Sequence, residues 1–374
     1  MDELHLSLSQ LSIKLWRSAL CGIAGFIGKS RPNTNKVKAV LNSMYHRGPD
    51  SNGFQSRYFR DKHLLMMHTR LSIIDLDTRS DQPWIEGEDI LVFNGEIYNF
   101  IELRTTLIDR GYRFKTDSDT EVVAKALQCW GTKAFDYFEG MWALIWYDTH
   151  QKRLIISRDR FGEKPLYYLR LNDNFYFASE LQALFLLSET QPEINDQQMF
   201  RYLVNGYKSL FKTNDEFYKN VYQIESGTFW VFEKDNAPSI HRYWDQVVEQ
   251  NHSLSFEDAV QRVRERLIES VRIRSRSDVP LAYCMSGGVD SNAIISITSK
   301  ILGLETHGFT IVNTDGRYDE NELINSSVEH LGIKHTKIKL NKTNFLDNMQ
   351  AIIRHRMQPI ATITYYAHWT LMKA

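Results

Sequence analysis

Two short stretches carry groups that could do chemistry. In "SALCGIAGFIG", Ser18 to Gly28, Cys21 offers a thiol at the head of a glycine-spaced apolar run. A thiol with a pKa of about 8.5 is only a few per cent thiolate near neutral pH, so such a nucleophile needs a base beside it. In "MSGGVDS", Met285 to Ser291, a loop follows an apolar strand and opens a helix. Backbone N–H groups and the helix dipole at that junction cradle an anion. Gly287 and Gly288 let the backbone approach a phosphate, Ser286 and Ser291 add hydroxyl donors, and Asp290 can hold Mg²⁺. The loop lacks the Lys-Ser/Thr ending of a Walker A motif, so it does not match the usual γ-phosphate transfer site.

The elements around these stretches differ in style between the two halves. From Cys21 to about Leu187, short strands alternate with amphipathic helices. "HLLMMHTRLSII", "DILVFNGEIYN", "MWALIWYD", "RLIISRD" and "NFYFASE" are strand-like. "NFIELRTTLIDRG" and "DTEVVAKALQCWG" have apolar residues at helical spacing, and each stops at a glycine, Gly111 and Gly131. Such runs predict an α+β unit with antiparallel sheets. After Ser255 the order becomes strictly alternating: the helix "FEDAVQRVRERLIESVRIR", the apolar strand "VPLAYCM", a helix from Val289, then "ETHGFTIV", "DENELINSSVEHLG", "HTKIKL" and a further helix. That alternation predicts a parallel α/β sheet covered on both faces. The expected organisation is a segment 1–20, a domain over 21–205, a connecting region over 206–254 and a second domain over 255–374.

Composition narrows the partners. Of 374 residues, 43% are apolar and 24% charged, and 45 Lys plus Arg balance 46 Asp plus Glu. No global field recruits nucleic acid or an acidic membrane surface, which leaves small molecules as the expected partners. The helix from Arg262 to Arg276 carries six arginines, yet Glu265 and Glu269 interrupt them and no aromatic residue is present to stack on bases. Three cysteines cannot frame a disulfide scaffold and lack the paired spacing of a zinc site; Cys129 and Cys284 read as buried packing residues. No apolar run reaches the length of a membrane span, and the first twenty residues are not a secretory signal. A cytoplasmic enzyme is expected. No oligomeric state is encoded in these features.

The segments "CGIAGFIG", "HRGPDSNG", "HTRLSIIDL", "FNGEIYN", "TDSDTEV", "FEGMWALIWYD", "RDRFGEKPLYY" and "FASELQAL" occur in the order found in class II glutamine amidotransferases. Joined to a loop that resembles the pyrophosphate loop of AMP-forming enzymes, they resemble the glutamine-hydrolysing asparagine synthetase family from Cys21 to the C-terminus. The resemblance implies an N-terminal-nucleophile hydrolase sandwich (αββα) followed by an α/β adenine-nucleotide hydrolase-like domain, incomplete here. It implies that Cys21 attacks glutamine with its own α-amino group as base, and that Asn94 and Gly95 hold the oxyanion. Arg70 then binds the substrate carboxylate, Glu96 and Asp119 its ammonium group, and Leu71, Ile73 and Ile74 complete the glutamine pocket. In the second domain Met285 and Ile311 lie against adenine, with Ser286, Gly287, Gly288, Asp290 and Ser291 at the phosphates. Arg317 to Glu320, "RYDE", matches a segment near the nucleotide. The implied reaction uses ATP and Mg²⁺ to adenylate a carboxylate, aspartate in the parent family; ammonia from glutamine then displaces AMP to give an amide. A sugar acid or cell-surface precursor is the alternative acceptor, and a non-catalytic remnant the alternative of another class.

Two departures from the family pattern matter. With Leu20 attached, the nitrogen of Cys21 is a peptide amide with no useful basicity, and losing a general base costs about 10²–10⁴-fold. A propeptide, a silencing extension or a start later than Met1 would each account for residues 1–20, and the later start is the preferred expectation. The family's ATP domain also continues beyond the position of Ala374 with another strand, an acidic glycine-rich loop and a catalytic lysine. Its next strand would pair with "PLAYCM", so the expectation for this polypeptide alone is an unprotected apolar edge and little synthetase activity.

Overall fold

The computed structural model describes residues 21–373 except 31, 234–236, 251–252, 313–319 and 341–342. The segment 1–20, and Arg317 to Asp319 of "RYDE", lie outside the described residues.

Two six-stranded antiparallel sheets build the first unit. One has the order β10-β8-β9-β1-β3-β2, from β1 (Gly22–Gly28), β2 (Ser51–Phe59), β3 (Lys62–Arg70), β8 (Tyr167–Leu171), β9 (Asn174–Ala178) and β10 (Val221–Gln223). The other runs β12-β11-β7-β6-β5-β4, from β4 (Trp84–Glu86), β5 (Asp89–Ile97), β6 (Gly140–Asp148), β7 (Arg153–Arg158), β11 (Thr228–Phe232) and β12 (Ser239–Arg242). Period-two alternation divides each strand between two cores. Ile23, Leu64, Met66, Val92, Ile145 and Ile156 meet between the sheets. Their sequence neighbours point outward. Ala24, Phe26, Leu65 and Met67 pack under α1 (Thr34–Ser43) and α5 (Leu181–Ser188). Leu91, Phe93, Trp142 and Leu144 pack under α2 (Phe100–Asp109), α3 (Asp119–Trp130) and the single turn α4 (Ala134–Tyr137). The unit is a four-layer αββα sandwich, as expected.

Strands β10, β11 and β12 correct the expectation that 206–254 merely connects: β10 pairs with β8, β11 with β7 and β12 with β11, so both sheets draw on that region. Its polar, turn-rich composition hid strands of only three to five residues. Helix α6 (Asp196–Asn205) precedes them.

The second unit is a three-stranded parallel sheet in the order β13-β14-β15, from β13 (Ala282–Cys284), β14 (His307–Val312) and β15 (Lys334–Lys339). Around it lie α7 (Phe256–Arg274), α8 (Val289–Ser296), α9 (Asn321–Leu331), α10 (Phe345–Arg356) and α11 (Thr364–Lys373). The alternation is as expected, and "PLAYCM" supplies an edge strand, as expected for this polypeptide alone. Only three of its residues are extended; they form an edge, and Ala282 and Cys284 are exposed. Cys284 is therefore not a buried packing residue, and Cys129 is half-buried. Among the described residues no helix is long and apolar enough to cross a membrane.

Candidate active site

Cys21 lies immediately before β1, buried at 8% exposure between the two sheets' ends. The backbone behind it is pinned to the C-terminal end of β9: the Ile23 N–H donates to Ser179 Oγ at 3.0 Å, and the Ser179 N–H to the Ile23 carbonyl at 2.8 Å. Arg47 Nε donates to the Cys21 carbonyl at 3.1 Å. That reach depends on Gly48, where a Cβ would stand 2.3 Å from the Thr69 carbonyl carbon, so the "HRGPD" turn lies directly on β3. The Leu71 N–H points at the sulfur from 3.4 Å and its carbonyl lies 3.6 Å away. Burial pushes the thiol up to about 11; the Leu71 N–H and Arg70 oppose this, while Glu96 and Asp119 add to it. At pH 7 that leaves about one thiolate in ten thousand. The sulfur is positioned but inert until a base reaches it.

Arg70 closes β3 at 5% exposure, its guanidinium fixed by the loop that follows. Nη1 donates to the Asp77 carbonyl at 2.9 Å and to Asp81 Oδ1 at 2.8 Å, and Nη2 to the Asp75 carbonyl. The Asp75 carboxylate in turn gathers Ser80 Oγ at 2.7 Å and the N–H groups of Asp77 at 3.1 Å and Asp117 at 2.9 Å. Burial works against that charge, but these donors together hold its pKa below the usual range. In this loop Leu71 touches the sulfur and Ile74 is buried. Ile73 accepts the Asp278 N–H at 2.9 Å, so it meets the second unit instead.

On the other sheet, Asn94 is fully buried on the inner face of β5. Its Nδ2 is 3.5 Å from Ser179 Oγ, and its Oδ1 has no partner among the described residues. A Cβ on Gly95 would fall 2.1 Å from the Met141 carbonyl oxygen, so glycine is required there for β5 to pair with β6. Asp119 is the first residue of α3, whose N-cap Ser118 accepts the Thr120 N–H. Its Oδ2 accepts the Ile97 N–H at 3.0 Å, yet burial still pushes the carboxyl up to about 6. Half-buried Glu96 is raised well above the ordinary carboxylate range, first by burial and then by Asp119. Two carboxyls that resist ionising side by side form a site waiting for a cation.

Sequence reasoning missed Lys164. Its loop is organised by Asp159, whose carboxylate accepts the N–H groups of Phe161, Glu163, Lys164 and Trp142. Lys164 is buried, and burial first and then Arg47 push its ammonium down to about 8, while Glu96 opposes the shift. The segment "RDRFGEKPLYY" marked the region without marking this side chain.

In the second unit, a cavity of about 390 Å³ is lined by Met285, Ser286, Ser291, Ile311, Glu320 and His368, among others. It brings together four of the residues expected at a nucleotide. Gly287 and Gly288 form the loop beside it, and Asp290 lies on the exposed side of α8. Ser286 Oγ and Ser291 Oγ are 3.0 Å apart, and the Gly288 N–H donates to Ser286 Oγ at 3.2 Å. Glu320 Oε2 accepts the Gly287 N–H at 2.6 Å, a carboxylate oxygen standing where a phosphate oxygen would be received. The loop thus fits an oxyanion. No group of three metal-ligating side chains forms around Asp290 among the described residues.

Comparison with known proteins agrees with this division. The glutamine amidotransferase domain family matches residues 20–244 and the asparagine synthase family residues 262–374. The glutamine-hydrolyzing asparagine synthetase 1 of Bacillus subtilis is 30% identical over 356 residues, 91% of this chain and 54% of its own length. An amidase of Gibberella zeae is 27% identical over 392 residues, 95% of this chain and 56% of its own. The chain spans about half the length of these curated relatives. Among solved structures, the glutamine phosphoribosylpyrophosphate amidotransferase of B. subtilis aligns with a TM-score of 0.45 and 15% identity, over 86% of this chain and 67% of that one.

Proposed function

Because the chain belongs to the glutamine amidotransferase family, with a matching asparagine synthase domain behind it, we propose that it releases ammonia from glutamine at Cys21 and passes it to an ATP-activated carboxylate. The observation that carries this reading is the convergence on one buried thiol of the fields of Arg70, Glu96 and Asp119. Glutamine brings a carboxylate for the guanidinium and an ammonium group for the two acids, which leaves its side-chain amide to meet the sulfur. The α-amino group of an N-terminal Cys21, pKa about 8, takes the thiol proton. A carbon–sulfur bond forms, the carbon–nitrogen bond breaks, and the proton leaves with ammonia; water then hydrolyses the thioester to glutamate. Asn94 Nδ2 and the Gly95 N–H are the donors proposed for the oxyanion. The buried Lys164 ammonium opposes, through its charge, the rise that burial imposes on Glu96.

In the second unit Ser286, Gly287, Gly288 and Ser291 would hold the phosphates of ATP, with Met285 and Ile311 beside the base. Bound ATP supplies the activation of the acceptor carboxylate. Asp290 is the side chain that would hold a Mg²⁺ ion there, which would offset phosphate charge. Aspartate is the first-choice acceptor from the asparagine synthetase relatives, and the amidase relative makes a sugar acid or another carboxylate the second. The three free cysteines support a cytoplasmic setting.

The test is glutamate release from glutamine by chain beginning at Cys21, compared with chain that retains residues 1–20. The first is expected to be active, the second lower by about 10²–10⁴-fold, and Cys21→Ala without activity. Equal rates from both forms would remove the α-amino base from the mechanism.

A further inference from the structure

We propose that His46, Glu180 and His355 form a binding site for a zinc-class divalent metal ion at the seam between the two units. The three come from separate places in the fold. His46 stands in the "HRGPD" turn that Gly48 lays on β3, Glu180 is the N-cap of α5, and His355 lies in the last turn of α10. Their ligand atoms all lie within 4.8 Å of one another, and His46 Nε2 is 2.9 Å from Glu180 Oε1. Two ligands on one tetrahedral zinc are about 3.3 Å apart, given metal–ligand distances near 2.1 Å. Closing the set takes a shift of about an ångström in half-buried side chains.

The protonation states suit ligation. Burial pushes the His355 imidazole down to about 4, so it is neutral at pH 7. Burial would raise Glu180, but His46 and Arg47 hold it down at about 2, so it is a carboxylate. Two imidazoles and one carboxylate select zinc and its late first-row neighbours over Mg²⁺ or Ca²⁺. Arg47 Nη1, 3.0 Å from Glu180 Oε1, stays as an outer partner that orients the carboxylate. Its charge and that of Arg356, which also faces His355, oppose a dication and hold the affinity below that of a closed structural site. The His46 and His355 rings meet edge to face with centroids 4.5 Å apart. Beside them a cavity of about 430 Å³, lined by Arg47, Glu180, His355 and His368, has room for a water as fourth ligand.

The experiment is a Zn²⁺ titration of chelator-stripped full chain against a competing indicator, with Co²⁺ as a spectroscopic substitute. One equivalent is expected to bind. His46→Ala and His355→Ala each weaken binding at least tenfold, and Cys284→Ser leaves it unchanged. Should either alanine variant fail to fold, His46→Gln and His355→Gln keep the side-chain volume and are expected to lose the metal likewise. The Co²⁺ complex should show visible ligand-field bands without sulfur-to-metal charge transfer. Absence of saturable binding, binding indifferent to His355, or a thiolate signature would each overturn the proposal.

Discussion

At the scale of single residues, the acidic end of the site is built against stability. Asp119 and Glu96 are held where burial disfavours their charge, and only a bound ammonium group would relieve it. The folded state therefore binds protons more tightly than the unfolded chain. The stability that Asp119 contributes is fully present below the ordinary carboxylate pKa of 3.8 and is lost as pH rises toward about 6. Asp119→Asn keeps an oxygen for the Ile97 N–H and removes the buried charge. It is expected to raise stability at pH 7 by about 3 kcal/mol and to flatten the profile between pH 4 and 6, as read by denaturant unfolding. The same variant should lose glutamine hydrolysis. An unchanged pH profile would show that Asp119 is ionised in the folded chain at no cost. This pair, with Cys21, Arg70 and Asn94, was singled out in the sequence only by the order of motifs that resemble a family, since each alone also reads as a turn, a cap or a strand residue. Lys164 was not, because a lysine in a polar loop reads as surface until the fold buries it.

At the scale of elements, the loop after β3 decides how Arg70 is presented, and part of its order comes from far along the chain. Asp278 Oδ2 accepts the Asp75 N–H at 2.7 Å, and the Asp75 carbonyl accepts Arg70 Nη2. The Asp278 N–H adds a backbone bond to Ile73. Removing the Asp278 carboxylate leaves a half-buried N–H unpaired, at about 1 kcal/mol, and loosens the loop that aims the guanidinium. Asp278→Ala is expected to raise the KM for glutamine several-fold with kcat little changed, and Asp278→Asn, which keeps an acceptor, to restore it. A fall in kcat alone would place Asp278 elsewhere in the cycle. Nothing in the sequence around Asp278 announces this, since its partner is about two hundred positions away. The same limit explains the missed strands β10 to β12. Pairing sets them, β10 on β8, β11 on β7 and β12 on β11, whereas the periodic helices α2 and α3 announce themselves alone.

At the scale of the whole molecule, the two units are unequal. The first has three cores of 19, 18 and 17 buried apolar residues; the second has clusters of four and three among the described residues. Burial is the main source of stability, so the second unit must lean on its seam with the first. That seam is polar. Arg276 grips Glu102 with both arms and the Tyr98 carbonyl with Nη1, Tyr202 donates to the Ile360 carbonyl at 2.8 Å, and Gln358 donates to the Glu216 carboxylate. The Arg276–Glu102 pair is half in solvent and contributes under about 1 kcal/mol. Glu216 is buried, and burial raises its pKa against the pull of Gln223 and Gln358. Taking away one of its two amide donors leaves a poorly solvated carboxylate, a loss of about 1.5–3 kcal/mol. Unfolding is therefore expected in two steps, the second unit first. Gln358→Leu should lower the first transition by several degrees and leave the second in place, as followed by calorimetry, whereas Arg276→Ala moves the first only slightly. A single transition shifted as one by Gln358→Leu would mean that the large cores and the small ones melt together, and that the seam transmits cooperativity instead of merely holding the smaller unit in place.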